Sequence, residues 1–578
     1  MTYQLIVRGG SVVDGTGVAP FRADVAIDDG QIVAVGLLDA AAADEVIDAT
    51  GMLVAPGWVD VHSHYDGQAT WDQELAPSAW HGVTTTVMGN CGVGFAPAAP
   101  SRHEWLIDLM AGVEDIPSAS LAAGIPWGWE TFPEHLDVLE RGSWTMDLGT
   151  QIAHGAVRGY VMGERGARNE PATADDIAAM RDIVREAIDA GALGFSTSRT
   201  LAHLAVDGEP VPGTFAAEDE LFGIGEALRD AGAGVFEVAP LGSAGEDPDG
   251  TRREVEWMAR LSTAMGRPVS FVLIQVDSAP DLWREVLARS NEVVADGADL
   301  RAQIAGRPTG LLAGHQTTHN LLDVIPAYQE LRSLPMPELL AALRDPAVRD
   351  RILGWEPHAD ARARLDAAYP KTFVMGTPPD YEPGPEKSIA AIAERQGRTP
   401  LEVTYDAMLE DDGRAMLLVP LLGYSDGSSE PVLEMMRNPR SVLSLADGGA
   451  HVGIVCDASM PTYMLTHWTR DRDRGDRVSI EMIVQKQCRQ TAELYGLLDR
   501  GLIAPGMLGD VNVIDYDALA LENPEVRDDM PAGGRRLLQG ARGYVATIKR
   551  GVVTYRNGVA TGAHPGRLVR GAQPAPAV

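Results

Sequence analysis

Residues 56–97 read PGWVDVHSHYDGQATWDQELAPSAWHGVTTTVMGNCGVGFAP, and the rest of the chain is organised around this stretch. A short apolar run from Trp58 ends in the alternating pair His62 and His64. A second β-rich run, Val83 to Met88, ends in a cysteine framed by glycines, Cys91. In a strand, residues i and i+2 point to one face, so both imidazoles can reach a single ion. Imidazole and thiolate suit zinc and its neighbours in the transition series. A phosphate-binding reading of Gly89–Gly94 fails, because the glycines are not spaced G-x-G-x-x-G and the prolines that follow cannot open the required helix.

Outward from this stretch, apolar β-rich runs alternate with helical patterns, the signature of βα units and a parallel sheet. Eight strands are expected: Trp58–His62, Val83–Met88, Gly149–His154, Gly194–Thr197, Gly234–Val238, Val269–Ile274, Leu300–Ile304 and Val442–Ala446. Several are almost continuously apolar, as strands buried on both faces must be. Thr173 and Asp176 form a capping-box-like start for a helix with Ile177, Met180, Val184 and Ile188 at helical spacing. Segments 216–232 and 279–297 follow the same logic and end at glycine. The expected fold class is α/β, a (β/α)8 TIM-like barrel.

Residues 3–58 break into short strands with Gly and Asp turns, suggesting a small antiparallel sheet. It needs a partner, and segments 512–519 and 544–559, with the Arg556-Asn-Gly turn, supply one. The expected organisation is a β-sandwich from residues 1–57 plus 503–578 and a barrel over 58–502. Insertions at about 97–146 and 305–440 interrupt the barrel, and the tail QPAPAV reads as disordered. Loops of that length usually cover or shape a site.

The composition narrows the function. A net charge of −34 opposes nucleic acid or an anionic membrane as partner. No secretory leader and no membrane-spanning run is visible, and Cys91, Cys456 and Cys488 are too scattered for a disulfide framework. These features imply a cytoplasmic, reduced protein; the expected partner is a small-molecule substrate, with homo-oligomer formation left open.

Barrel chemistry sits where strands end. The expected strands deliver His62, His64 and Asp66; Asn90 and Cys91; His154; Ser196, Ser198 and Arg199; Glu237; Gln275; Arg307; and Asp447, followed by His451. Two histidines, a cysteine and an aspartate at one mouth describe a metal site with a carboxylate able to accept a proton from water. His154 has a competing reading as a hydrogen-bonded core histidine, and Glu237 one as half of a buried ion pair.

These residues resemble the amidohydrolase superfamily, within it the D-aminoacylase (N-acyl-D-amino-acid deacylase) branch. The similar segments are PGWVDVHSH, TTVMGNCG, MAGVEDIP at 110–117, the helix that runs into ALGFST, ADGGAH around Asp447, GLIAPGMLGDVNVIDYDAL and the closing GVATGAHPGRLVRG. The resemblance implies a metal-carrying barrel plus a split β domain. It makes His62 and His64 the pair on the first strand, Cys91 a cysteine ligand in place of a carboxylated lysine, and Asp447 the general base and later proton donor. Consistently, Lys371, Lys387, Lys486 and Lys549 are the chain's lysines, and none falls at an expected strand end.

The chain departs from that branch where histidines are usual on the fifth and sixth strands. Its segments 235–240 and 270–275 read VFEVAP and SFVLIQ. Either one ion is held by His62, His64, Cys91 and Asp447, or His154, Glu237 or His451 substitutes, or metal binding is weakened or lost. The expected cofactor is zinc, one ion rather than two, with another divalent transition metal as the alternative. The expected reaction is hydrolysis of a C–N amide bond in a small N-acylated (D-)amino acid or related compound. Metal-bound hydroxide is the expected nucleophile, Asp447 the acid–base group, and Arg158, Arg199 or Arg307 a partner for a substrate carboxylate. A cyclic amide or lactone hydrolase, and a non-catalytic binding barrel, are the alternatives.

Overall fold

The computed structural model describes residues 2–38 and 42–577. Met1, residues 39–41 and Val578 lie outside the described residues, and with them an interior stretch of the expected N-terminal sheet and the last residue of the QPAPAV tail.

Eight parallel strands appear in chain order at Trp58–Asp60, Val83–Met88, Asp147–Thr150, Gly194–Ser198, Val235–Ala239, Val269–Val272, Leu300–Ile304 and Ser441–Leu443. The third resumes after Gln151 as Ile152–Ala153, so one sheet holds the first three strands and a six-stranded sheet continues to the eighth. Every neighbouring pair is parallel. Where the first and eighth strands end, Ser63 and Gly448 form a parallel bridge. The His64 N–H donates to the Gly448 carbonyl at 2.7 Å and the Asp447 N–H to the His62 carbonyl at 3.2 Å.

The third strand ends earlier than its apolar run suggests, because His154 opens the helix His154–Met162. The Thr173 cap is formed as its sequence implies. The Asp176 N–H donates to Thr173 Oγ1 and the Thr173 N–H to Asp176 Oδ2, opening the helix Ala174–Ala190. That helix buries Met180, Val184 and Ile188, while Ile177 is only half-buried. The stripe therefore packs the helix onto the strands, as 3.6-residue spacing requires.

Strands from both chain ends share one nine-stranded sheet. Its seam is Leu53–Pro56 against Val511–Ile514, paired antiparallel. Val7, Val25, Val54, Val513 and Ile548 occupy one hydrophobic cluster on it. These nine strands are hydrogen-bonded in one continuous sheet, which is mixed rather than purely antiparallel. Strand Thr2–Val12 is long enough to pair antiparallel with Phe21–Asp28 on one edge and parallel with Ala42–Asp48 and Leu53–Pro56 on the other. The Arg556-Asn-Gly turn closes a hairpin, with Asn557 and Gly558 at φ 51° and 76°. Gln573 is tied in by hydrogen bonds to Gly496 and Leu498, so the tail is anchored where it begins.

The segment between the seventh and eighth strands builds its own antiparallel sheet, Thr309–Ala313, Leu417–Leu422 and Phe373–Val374. Leu322, Tyr328, Leu339, Ile389 and Met408 form a separate hydrophobic cluster there. The segment after the second strand carries helices His103–Glu114, Ser118–Gly124 and Phe132–Leu139. A hairpin absent from the sequence reading, Glu525–Met530 with Gly534–Leu538, reaches back to the eighth strand's loop through Leu537 N–H to the Val452 carbonyl at 2.6 Å. No helix among the described residues is long and apolar enough to cross a membrane.

Candidate metal centre

His62, His64 and Cys91 converge with one donor atom each, all within 4.8 Å of one another, and all three side chains are buried. His62 follows the first strand and is oriented by the seventh. Its Nδ1 lies 2.6 Å from Gln303 Oε1. A carboxamide oxygen only accepts, so Nδ1 carries the proton and Nε2 keeps its lone pair. Gln303 is fixed in that sense by donating through Nε2 to Ser270 Oγ at 2.9 Å, while Ser444 Oγ donates to Oε1 at 3.2 Å. The free His62 Nε2 then stands 3.3 Å from Cys91 Sγ and 3.5 Å from Asp447 Oδ1.

Cys91 reaches this position through a strained turn, with φ of 54°. Glycines flank the bend because side chains have no room. A Cβ on Gly89 (φ 80°) would lie 2.4 Å from the Gln151 carbonyl, and one on Gly92 (φ 71°) 2.8 Å from the Ser198 nitrogen. The fourth and fifth strands hold the turn from across the sheet. Ser196 Oγ accepts from the Gly92 N–H at 3.0 Å and donates to the Gly89 carbonyl at 2.6 Å. Glu237 Oε2 accepts from the Cys91 N–H at 3.0 Å.

Asp447, also at positive φ (47°), leaves its buried Oδ1 without a hydrogen-bond partner. Asp66 accepts from the Gly89 N–H at 3.2 Å and so braces the Cys91 turn. Asn90 and Gln275 brace loops: Asn90 donates to the Ser63 and Val87 carbonyls, and Gln275 to Pro280 and Asp426.

His154 stays apart from the centre. Both of its nitrogens are engaged, Nδ1 with Thr197 Oγ1 at 2.8 Å and Nε2 with Glu220 Oε1 at 2.9 Å. It is a core histidine. The three arginines proposed for a substrate carboxylate each already hold a protein carboxylate: Arg158 pairs with Glu220, Arg199 with Glu254 and Arg307 with Asp457.

Two residues of the centre escaped the sequence reading. Gln303 lies inside the seventh strand rather than at its end, where the sequence points to ligands. Glu114 ends the helix His103–Glu114 in the first insertion, with Oε1 3.3 Å from His64 Nδ1 and Oε2 3.6 Å from His451 Nε2. Its carbonyl also accepts the His451 N–H. The available signal was an acid in an apolar helix, since Glu114 is 1% exposed between the buried Met110 and Val113 on one side and Ile116 on the other.

Burial dominates the electrostatics. It pushes the Cys91 thiol up, with Glu237, Glu114 and Asp447 adding to the effect. It raises Asp447 to about 7 and Glu237 to about 8. Burial lowers His62 to about 4, and holds His64 well below the usual range with help from His62, His451 and His203. Neutral imidazoles are the ligand form. Among the described residues, no lysine or arginine forms an ion pair with Glu114, Glu237 or Asp447, whose ionic contacts are to histidine alone or absent.

The donor set fits a divalent transition metal. Ligand atoms about 2.0–2.3 Å from zinc at tetrahedral angles stand roughly 3.3–3.8 Å apart; His62 Nε2 lies 3.3 and 3.5 Å from its two neighbours, and the donor atoms of His62, His64 and Cys91 lie within 4.8 Å of one another. A dication would also reverse the charge logic of a pocket that collects acids without a basic counterpart.

Residues 45–555 match the Amidohydrolase family. The chain is 27% identical over 552 residues to an uncharacterized protein of Mycobacterium tuberculosis, covering 89% of this chain and 85% of that one. A D-aminoacylase of Alcaligenes xylosoxydans xylosoxydans is 34% identical over 195 residues, 34% of this chain and 37% of that enzyme. A crystal structure of D-aminoacylase superposes with a TM-score of 0.65 at 21% identity, covering 98% of this chain and 100% of that one. N-acyl-D-glutamate deacylase from Bordetella bronchiseptica, complexed with zinc and a phosphonate inhibitor, gives 0.65 at 21% identity, covering 99% and 100%. At that identity the two structures share the fold with this chain.

Proposed function

Because the chain belongs to the amidohydrolase family, we propose that it is a metal-dependent hydrolase of the C–N amide bond in a small N-acylated D-amino acid or related compound. The observation that carries this reading is the convergence of His62, His64 and Cys91 within 4.8 Å, with Asp447 Oδ1 3.5 Å from His62 Nε2. The similarity to D-aminoacylase supplies the substrate class. In this reading the eight strands close as a barrel across the Ser63–Gly448 bridge. Residues 58–502 carry the chemistry and the shared sheet of both chain ends buttresses it.

His62, His64, Cys91 and Asp447 would hold the ion, for which zinc is the best match to nitrogen and sulfur donors. When bound, such an ion polarises a carbonyl and lowers the pKa of a water. The protein's own residues do the rest. Gln303 keeps His62 in the tautomer that presents Nε2, and Glu237 and Ser196 hold the Cys91 turn. Asp447 Oδ1, buried and without a hydrogen bond, takes a proton from the attacking water. The same carboxyl passes that proton to the amide nitrogen as the C–N bond breaks, releasing a carboxylic acid and an amine, which together ionise to carboxylate and ammonium.

The test is zinc and manganese content of the purified protein, measured beside turnover of N-acyl-D-amino acids, their L-isomers, cyclic amides and lactones. About one ion per chain with D-selective release of amine is expected. Turnover of cyclic substrates alone would move the substrate class, and no metal with no turnover would leave a binding protein.

A further inference from the structure

Glu237 has a free donor atom that the proposed chemistry does not use. It is the middle residue of the fifth strand, in register with Ser196 on the fourth and Ser270 on the sixth, and all three are fully buried. This layer faces the ligands. Ser196 holds the backbone on both sides of Cys91, and Ser270 anchors Gln303, which orients His62. Glu237 stands between them with Oε2 on the Cys91 N–H at 3.0 Å. Its Oε1 is buried with no hydrogen-bond partner, and among the described residues no basic side chain pairs with it. An ionised carboxylate is costly in such a place unless a cation compensates it.

The other residues considered for completing the ligand set do not offer this. His154 has both nitrogens engaged, and His451 turns Nε2 toward Glu114. We infer that Glu237 is a further metal ligand of this chain, binding through Oε1 while Oε2 keeps the Cys91 N–H. The inference rests on the metal-dependent reading above. One carboxylate then fixes the ion directly and, through the backbone, aims the thiol at the same ion.

The experiment uses the full chain loaded with cobalt(II) or zinc, comparing wild type with Glu237→Gln and with Cys91→Ala. Glutamine is isosteric, and its carbonyl oxygen still accepts the Cys91 N–H, so the turn is preserved. The expected result is zinc binding weakened at least about tenfold. The visible cobalt spectrum should shift while the thiolate charge-transfer band, absent in Cys91→Ala, persists. A Glu237→Gln cobalt spectrum superimposable on wild type overturns the inference whatever the affinity, and so does loss of the thiolate band, which would place the effect on Cys91. Should Glu237→Gln fail to fold, Glu237→His must bind cobalt with a spectrum shifted toward added nitrogen ligation, and an unshifted one overturns the inference. Wild-type protein that takes up neither metal overturns the metal-dependent reading itself, which separates that failure from this one.

Discussion

Cys91 and Asp447 border the same nitrogen of His62 but should fail differently when altered. Removing the thiol takes away a donor atom, so Cys91→Ala is expected to lower metal content of the purified protein, read by elemental analysis. Full occupancy would remove Cys91 from the ligand set. Asp447→Asn keeps an oxygen in place and removes the proton acceptor. It is expected to retain most of the metal while losing about 10²- to 10⁴-fold in turnover, and wild-type turnover would show that another group moves the proton. These residues were legible in the sequence because each follows an apolar run within three residues: His62 and His64 after Trp58–Val61, Cys91 after Val83–Met88, Asp447 after Val442–Ala446. Glu114 and Gln303 were not. Glu114 carries only the weak mark of an acid among apolar helix residues and Gln303 none, and packing alone brings them to 3.3 Å from His64 and 2.6 Å from His62.

Among the elements, the insertion between the seventh and eighth strands is tied back to the main body by Glu382. This buried carboxylate pairs with Arg472 at 2.9 and 3.0 Å and with His467 at 2.7 Å, and accepts the Ser429 N–H at 2.8 Å. Burial alone would raise its pKa, but His467 and Arg472 bring it down to about 2. A folded-state pKa below the unfolded value contributes stability that is complete above the unfolded value and lost as pH falls through the folded one. The contribution, on the order of 3 kcal/mol, should therefore disappear between about pH 4.5 and 2. Glu382→Gln is expected to melt below wild type at pH 7 and to show a flatter acid dependence of melting temperature in that window. Identical acid profiles would discount the cluster. At this scale the sequence located the insertion, whereas the antiparallel sheet inside it rests on pairing between residues about a hundred positions apart, such as Leu312 with Leu418.

For the whole molecule, Asp147 joins the parallel strands to the sheet formed by both chain ends. Its Oδ2 receives Lys549 at 2.8 Å, Arg500 at 2.8 Å and Arg550 at 3.0 Å, and its Oδ1 the Arg567 N–H at 2.9 Å. Burial opposes the charge, yet Lys549, Arg500 and Arg550 hold the carboxyl below the usual range. Asp147→Asn would take one counter-charge from buried Lys549 and Arg500, leaving Lys549 with Asp510 alone and Arg500 with Asp499 alone. Breaking such a buried network costs about 3–5 kcal/mol, and denaturant unfolding is expected to show that loss at neutral pH. A shift below about 1 kcal/mol would mean the remaining pairs suffice. By the same linkage, the wild-type contribution is complete above about pH 4 and falls as pH drops below it.

By itself the sequence determined the eight parallel strands, the Thr173 helix cap, the pairing of the two chain ends and the trio His62, His64 and Cys91. Each of these is written in local periodicity, turn chemistry or residues adjacent to a strand end, where side-chain direction follows from backbone geometry. Tertiary structure alone decided the mixed order of the terminal sheet, the tautomer of His62, the place of Glu114 and the engagement of His154 and the three arginines. Those depend on which distant groups share a few ångströms of buried space, and the cost of burying a polar atom without a partner is paid or avoided only there.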